Sequence, residues 1–159
     1  MSQTSIPLSY LGNVNDAVRI VQAQYPAALL YVVLGTTADG KPTDDPRAIT
    51  KLRVIFRDEG GTVFITSKDI WGEWNAPTRV DHPFVGDRVI PWPINLDIVQ
   101  AYELIRKHGY TESFTTVNLS WTLYPGVEEP HYAFELSDGK TVFVGVYTHT
   151  VLPAVVLTK

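Results

Sequence analysis

Apolar residues recur at helical spacing in two stretches of the chain. In Asp16–Gln24 they place Ala17, Ile20 and Val21 on one stripe that ends at Gln24, predicting a helix with Asn13 or Asn15 as its N-cap. In Asp97–His108 the stripe is Ile98, Ala101, Tyr102 and Ile105. Gly109 follows where a left-handed C-cap belongs, and Arg106 and Lys107 fill the last turn, where cations suit the helix dipole. A strand pattern follows each helix. Ala28–Leu34 is continuously apolar, whereas Thr116–Leu123 alternates, with Val117, Leu119, Trp121 and Leu123 on one face.

Two hairpins then match at a constant offset. Lys51–Thr66 and Pro130–Gly145 are each two apolar-rich runs around a tight turn that leads into Thr-Val-Phe. Glu59-Gly60 and Asp138-Gly139 are read as equivalent two-residue turns with positive φ angles. That register places Phe134 opposite Phe143, His131 opposite Val146 and Glu128 opposite His149. In the first hairpin Leu52, Val54, Phe56, Val63 and Ile65 share a face. Ile55 and Phe64 lie on the other, among Arg53, Arg57, Thr62 and Thr66. In the second, both faces are apolar: Tyr132, Phe134, Leu136 and Phe143 on one, and Ala133, Val142, Val144 and Val146 on the other. One helix covers a single face of such a sheet. The other repeat, a second subunit forming a homodimer, or a ligand must cover the rest.

The same order of helix, strand and hairpin occurs twice, which predicts an α+β chain built from two tandem helix–antiparallel β-meander repeats. The first spans 1–70 and the second 94–159, joined by an aromatic, Pro/Gly-rich segment at 71–93. The loop from Thr36 to Ile49 is longer than its counterpart Tyr124–Glu129. The apolar Val151–Lys159 would add a further strand, which Pro153 confines to a sheet edge.

A family resemblance rests on Tyr132–Asp138, Gly139–Tyr147 and Thr148-His149-Thr150-Val151. A helix followed by a meander with this ending resembles the PepSY-like and cystatin-like group of small α+β domains. The resemblance implies tandem units of that fold and an association with protease propeptides and protein inhibition. PepSY repeats tend to close with Asp-x-x-Thr-Gly-x-Val. Here the Asp is absent and His149 stands in place of the Gly. The Gln-x-Val-x-Gly loop of cystatins is missing from both copies.

Composition narrows the classes of partner. The chain has 159 residues, 45% hydrophobic and 19% charged, which is the balance of a globular protein. A net charge of −4 and no Lys/Arg run longer than two argue against nucleic acid, which needs concentrated basic surface. With no cysteine there is no disulfide, thiolate metal site or cysteine nucleophile. Met1–Pro7 does not read as a signal peptide, and no apolar run reaches the ~20 residues that span a bilayer. A cytoplasmic protein is expected, with a secreted, processed form as the alternative and no membrane partner.

Candidate chemistry is sparse. The histidines are His82, His108, His131 and His149. A metal reading would gather Glu128, Glu129, His131 and His149, but in the register above His131 and His149 point to opposite sheet faces. No metal site and no cofactor is expected. There is no Gly-x-Ser-x-Gly and no phosphate-binding glycine loop, and the pairs Asp44-Asp45, Asp58-Glu59 and Glu128-Glu129 fall in turns, where solvated acids belong. Catalysis is not expected.

Aromatic residues carry more information. Trp71, Trp74, Phe84 and Trp92 fall within one segment that holds three of the four tryptophans. Such rings either plug the seam between the repeats or anchor a binding surface, and Trp71-Gly72-Glu73-Trp74 is awkward to bury entire. With Tyr132 and Phe134 of the second hairpin they form the candidate binding set. The expected function is a non-catalytic binding protein whose partner is a protein, such as a protease that it inhibits. A carrier of a small apolar ligand in an aromatic pocket at the repeat seam is the alternative, and an enzyme with an unrecognised site is a third reading.

Overall fold

The computed structural model describes residues 8–84, 86–123 and 126–156, the last four by backbone alone. Met1–Pro7, and with it the reading of that segment as no signal peptide, lies outside them. So do Tyr124 and Pro125 of the shorter loop, and the end of Val151–Lys159.

Two helices pack on one antiparallel sheet. Helix α1 (Tyr10–Gln24) leads into strands β1 (Leu29–Thr37), β2 (Ile49–Asp58), β3 (Gly61–Thr66) and β4 (Thr78–Val80). After the short strand β5 (Asp87–Arg88), helix α2 (Ile98–Lys107) leads into β6 (Phe114–Thr122), β7 (His131–Leu136), β8 (Lys140–Gly145) and β9 (Val151–Val156). The strand order is β4-β3-β2-β1-β6-β7-β8-β9, so β1 and β6 meet at the centre. Strand β5 takes over the edge of β6 beyond the end of that pairing, through Asp87–Thr122 and Arg88–Trp121.

Helix α2 buries the stripe read from its sequence, Ile98, Ala101, Tyr102 and Ile105. Asp97, counted there as the first helical residue, is its N-cap, and Gln100 closes a capping box. Helix α1 starts earlier than predicted. Ser9, not Asn13 or Asn15, is its N-cap, and its hydroxyl accepts from the Gly12 N–H at 3.0 Å. The buried stripe is Tyr10, Asn13, Val14, Ala17, Val18 and Val21, while Ile20 is 38% exposed. A polar residue inside the stripe hides it from any count of apolar spacing. Asn13 tolerates burial because its Oδ1 accepts from Trp74 Nε1 at 3.1 Å.

The first hairpin turns at Glu59-Gly60, both with positive φ (46° and 87°), and its register puts Val54 opposite Ile65 and Phe56 opposite Val63. The second departs from expectation by one residue. Gly139 has φ 89° and its N–H donates to the Leu136 carbonyl at 3.0 Å, and Glu135 pairs with Thr141. The loop is therefore Ser137-Asp138-Gly139, three residues ending in a left-handed glycine. His131 faces Gly145 and Phe134 faces Val142. The slip moves every side chain of β8 to the other face. Tyr132, Phe134, Leu136, Val142 and Val144 now gather in the core, and the second hairpin has one apolar face rather than two.

That core lies between the helices and the sheet and draws on both halves, including Trp74 and Ile90 from the 71–93 segment. On the opposite face Tyr31, Val32 and Ile55 are buried with Leu34 and Phe64 beneath Phe84 and Val89 of the same segment. The segment thus supplies strands and cover to both faces, beyond the linker read from its prolines and glycines.

Candidate functional site

The N-termini of α1 and α2 converge on one carboxylate. Asp97 Oδ2 accepts from Val99 N at 3.2 Å, capping its own helix, and Oδ1 accepts from Leu11 N at 3.0 Å, in the first turn of α1. Each helix has unpaired N–H groups at its start, and an anion there is favoured by the helix dipole. Asp97 supplies that anion to both.

Beside it opens a cleft of about 560 Å³, walled by Leu8, Tyr10, Ile49, Trp71 and Ile98 with Asp97 among them. Trp71 is half-buried and is held there by its Nε1, which donates to the Leu8 carbonyl at 2.7 Å. Pro46, Arg47 and Val99 separate the cleft from a more open, charged groove of about 520 Å³ that runs along α2 past Glu103, Arg106 and Lys107. Arg47 is well exposed and sits 3.8 Å from Asp45. Tyr10 is 5% exposed and its hydroxyl is buried without a hydrogen-bond partner. Burial first, then the charge of Asp97, pushes its pKa far above the phenol range, so it stays a neutral donor.

The residues expected to bind are not brought together. Trp71 lines the cleft, whereas Trp74 is buried at 9% exposure. Trp92 is half-buried and donates from Nε1 to Asn15 Oδ1 at 3.0 Å, and Phe84 lies on the far face of the sheet, its ring 5.7 Å from Tyr31. Tyr132 and Phe134 have no exposed surface, and the Tyr132 hydroxyl donates to the Leu96 carbonyl at 2.7 Å. In the true register their side chains face the helices, so they are core. Sequence reasoning missed Tyr10, Ile49, Arg47 and Asp97. The Asp97-x-x-Gln100 box signals a helix start, but no local pattern signals that a second helix start shares it.

No set of three His, Asp or Glu residues that could hold a metal occurs among the described residues. His131 stands on β7 and His149 occupies the β8–β9 turn at φ 61°; Glu128 is exposed and Glu129 contacts that turn instead. The Glu129 carboxylate accepts from Tyr147 N at 2.7 Å, Thr148 N at 2.9 Å and Thr148 Oγ1 at 2.6 Å. Desolvation raises its pKa, but these bonds and nearby His131 outweigh it, so the net shift is downward. A depressed carboxyl contributes stability that is complete above its unfolded pKa and is lost as pH falls through the folded one. Glu129→Gln should cost about 1 kcal/mol at neutral pH, reduced by solvent screening, and should flatten the loss of stability below the ordinary Glu range. Urea unfolding of both proteins across that acid range checks it; an unchanged slope would assign the acid sensitivity elsewhere.

No protein-family model and no curated protein matches the chain. One solved structure does: a "putative lipoprotein" from Clostridium difficile 630, with a TM-score of 0.67 over 96% of this chain and 95% of that one, at 13% identity. The likeness is of fold alone. It extends over both halves and the segment between them, so helix–sheet halves joined in one sheet are an arrangement that another natural chain also adopts. No helix among the described residues is long and apolar enough to cross a membrane.

Proposed function

We propose that the protein is a non-catalytic binding protein and that its ligand, a compact apolar molecule, sits in the cleft between the N-termini of α1 and α2. The cleft itself carries the reading. Its volume of about 560 Å³ lies within the ~300–1,000 Å³ range of small-molecule sites. Its walls are mostly apolar, and Leu8 among them is 39% exposed. It draws residues from α1, the β1–β2 loop, Trp71 and the start of α2. A protein partner is the second reading, favoured by exposed Ile70 beside Trp71, which together suit an interface anchor.

We read the two halves as copies of one helix–meander unit, which supports this location. The series α1-β1-β2-β3-β4 and α2-β6-β7-β8-β9 run in the same order on either side of the β1–β6 pairing. The PepSY-like or cystatin-like kinship is inferred from that pattern, and the inhibitor reading rests on the kinship alone.

Native mass spectrometry of the purified protein, beside titration with 2-ethylnaphthalene followed through the Trp71 indole NMR cross-peak, tests the proposal. A saturable shift is expected in the parent, and Trp71→Ala, whose affinity is read by native mass spectrometry of the complex because it lacks that indole, should weaken binding by on the order of 2 kcal/mol while leaving the fold intact. Equal affinity in the variant would remove the cleft as the site. Recovery of a stoichiometric protein with no shift of that peak would favour the second reading.

A further inference from the structure

We infer that the ligand is an amphiphile: its apolar body fills the cleft, and a zwitterionic head, anionic group first and ammonium beyond it, lies past Arg47 in the groove along α2. The inference rests on the binding function proposed above and assigns the chemistry of the ligand's polar end.

The two cavities adjoin. Pro46, Arg47 and Val99 belong to the walls of both, so a molecule that reaches from one into the other passes Arg47. Beyond that wall the groove is lined by Asp44, Asp45, Glu103, Arg106 and Lys107, all exposed. Several of these charges are answered within the chain. Asp45 accepts from Arg47 N at 2.9 Å, as the cap of the short turn Pro46–Ala48. Arg106 and Lys107 stand in the last turn of α2, at the negative end of its dipole, and the Arg106 guanidinium lies 5.7 Å from the centre of the Tyr102 ring. In the cleft, the Asp97 carboxylate already serves Leu11 N and Val99 N. Three charges remain. Arg47 stands 3.8 Å from Asp45 with 74% of its side chain exposed, a loose pair. Glu103 and Asp44 have no ion pair among the described residues.

Their order along α2 sets the order of charges in the head. Val99, in the shared wall, and Glu103 are four residues apart, on one face of the helix and about 6 Å along its axis. A head that leaves its anion at Arg47 therefore carries its cation, a few bonds further on, toward Glu103. A lone anion would answer Arg47 and face the carboxylate of Glu103 one turn away, well inside the Debye length of ~10 Å at 0.1 M salt. A lone cation would meet Arg47 at the exit from the cleft. Both signs, in that order, satisfy both residues, while Trp71, Ile49 and Ile98 receive the apolar body.

Probes that share a decyl chain separate the possibilities, each used below its micelle concentration: decylphosphocholine, decyl phosphate, decyltrimethylammonium and 1-decanol. Binding is read from the Trp71 indole cross-peak in the full chain and in Arg47→Gln and Glu103→Gln, both at exposed positions outside the core. Decylphosphocholine should bind about fivefold tighter than each of the others. Glu103→Gln should remove about half or more of its lead over decyl phosphate, and Arg47→Gln as much of its lead over decyltrimethylammonium. The affinity of 1-decanol should be the same in all three proteins. Either singly charged probe binding the parent as tightly as the zwitterion, or a lead that survives intact in either variant, would overturn the assignment. If 1-decanol matches decylphosphocholine, the groove selects nothing: this inference fails while the binding function stands. Failure of all four to move the peak would end both this inference and the function on which it rests.

Discussion

Replacing Trp74 with alanine is expected to cost about 3–5 kcal/mol of stability. The indole is buried in the core between α1 and the sheet, and its Nε1 donates to Asn13 Oδ1 at 3.1 Å. Truncation leaves a cavity and also strips a fully buried amide of its one donor, when Asn13 Nδ2 already lacks a partner. Trp71→Ala, three residues earlier, removes a half-buried ring from the wall of the cleft and should cost on the order of 1 kcal/mol. Urea unfolding of the two variants measures the contrast. Comparable losses in both would show that the division between a core ring and a cleft ring is misplaced.

Asp97→Ala should cost roughly 1–4 kcal/mol, because a lost N-cap is worth ~0.5–2 kcal/mol and this carboxylate also accepts from a first-turn N–H of α1. Asp97→Asn keeps one acceptor oxygen and should recover about half of that loss. Amide hydrogen exchange locates the effect. The N–H groups of Leu11 and Val99, which donate to the two oxygens, should exchange faster together in the alanine variant. Unchanged protection at Leu11 would mean that the link between helices is absent in solution. The result bears on the cleft as well, since the same residue stands in its wall.

How much was legible in the sequence depended on whether a signal was local. Helix α2 displays an unbroken apolar stripe within its own residues, and it was read from them; its N-cap Asp97 and capping-box Gln100 were not. The first hairpin was readable too, because Glu59-Gly60 is a two-residue turn and its register follows from the turn length. Helix α1 was cut short, since Asn13 interrupts the apolar stripe and only its partner Trp74, far along the chain, makes a buried amide acceptable. The second hairpin was misregistered because Asp-Gly suits both a two-residue loop and the end of a three-residue one. Ser137 joined the loop, and the two faces of β8 exchanged. Three tryptophans of one segment looked alike in composition. One fills the core, one spans the cleft wall and one leans on α1 through Asn15.

By itself the sequence determined the α+β class, the buried stripe of α2 and the first hairpin. Each of these depends on periodicity, capping or turn chemistry, which act over a few neighbouring residues. Only the tertiary structure decided that one carboxylate caps two helices, that Tyr10 is buried with an unpaired hydroxyl, and that Trp71 rather than Trp74 borders open space. Those facts depend on residues separated by most of the chain, as Leu11 is from Asp97, and a hydrogen bond or a cavity exists only once packing has set the distances between them.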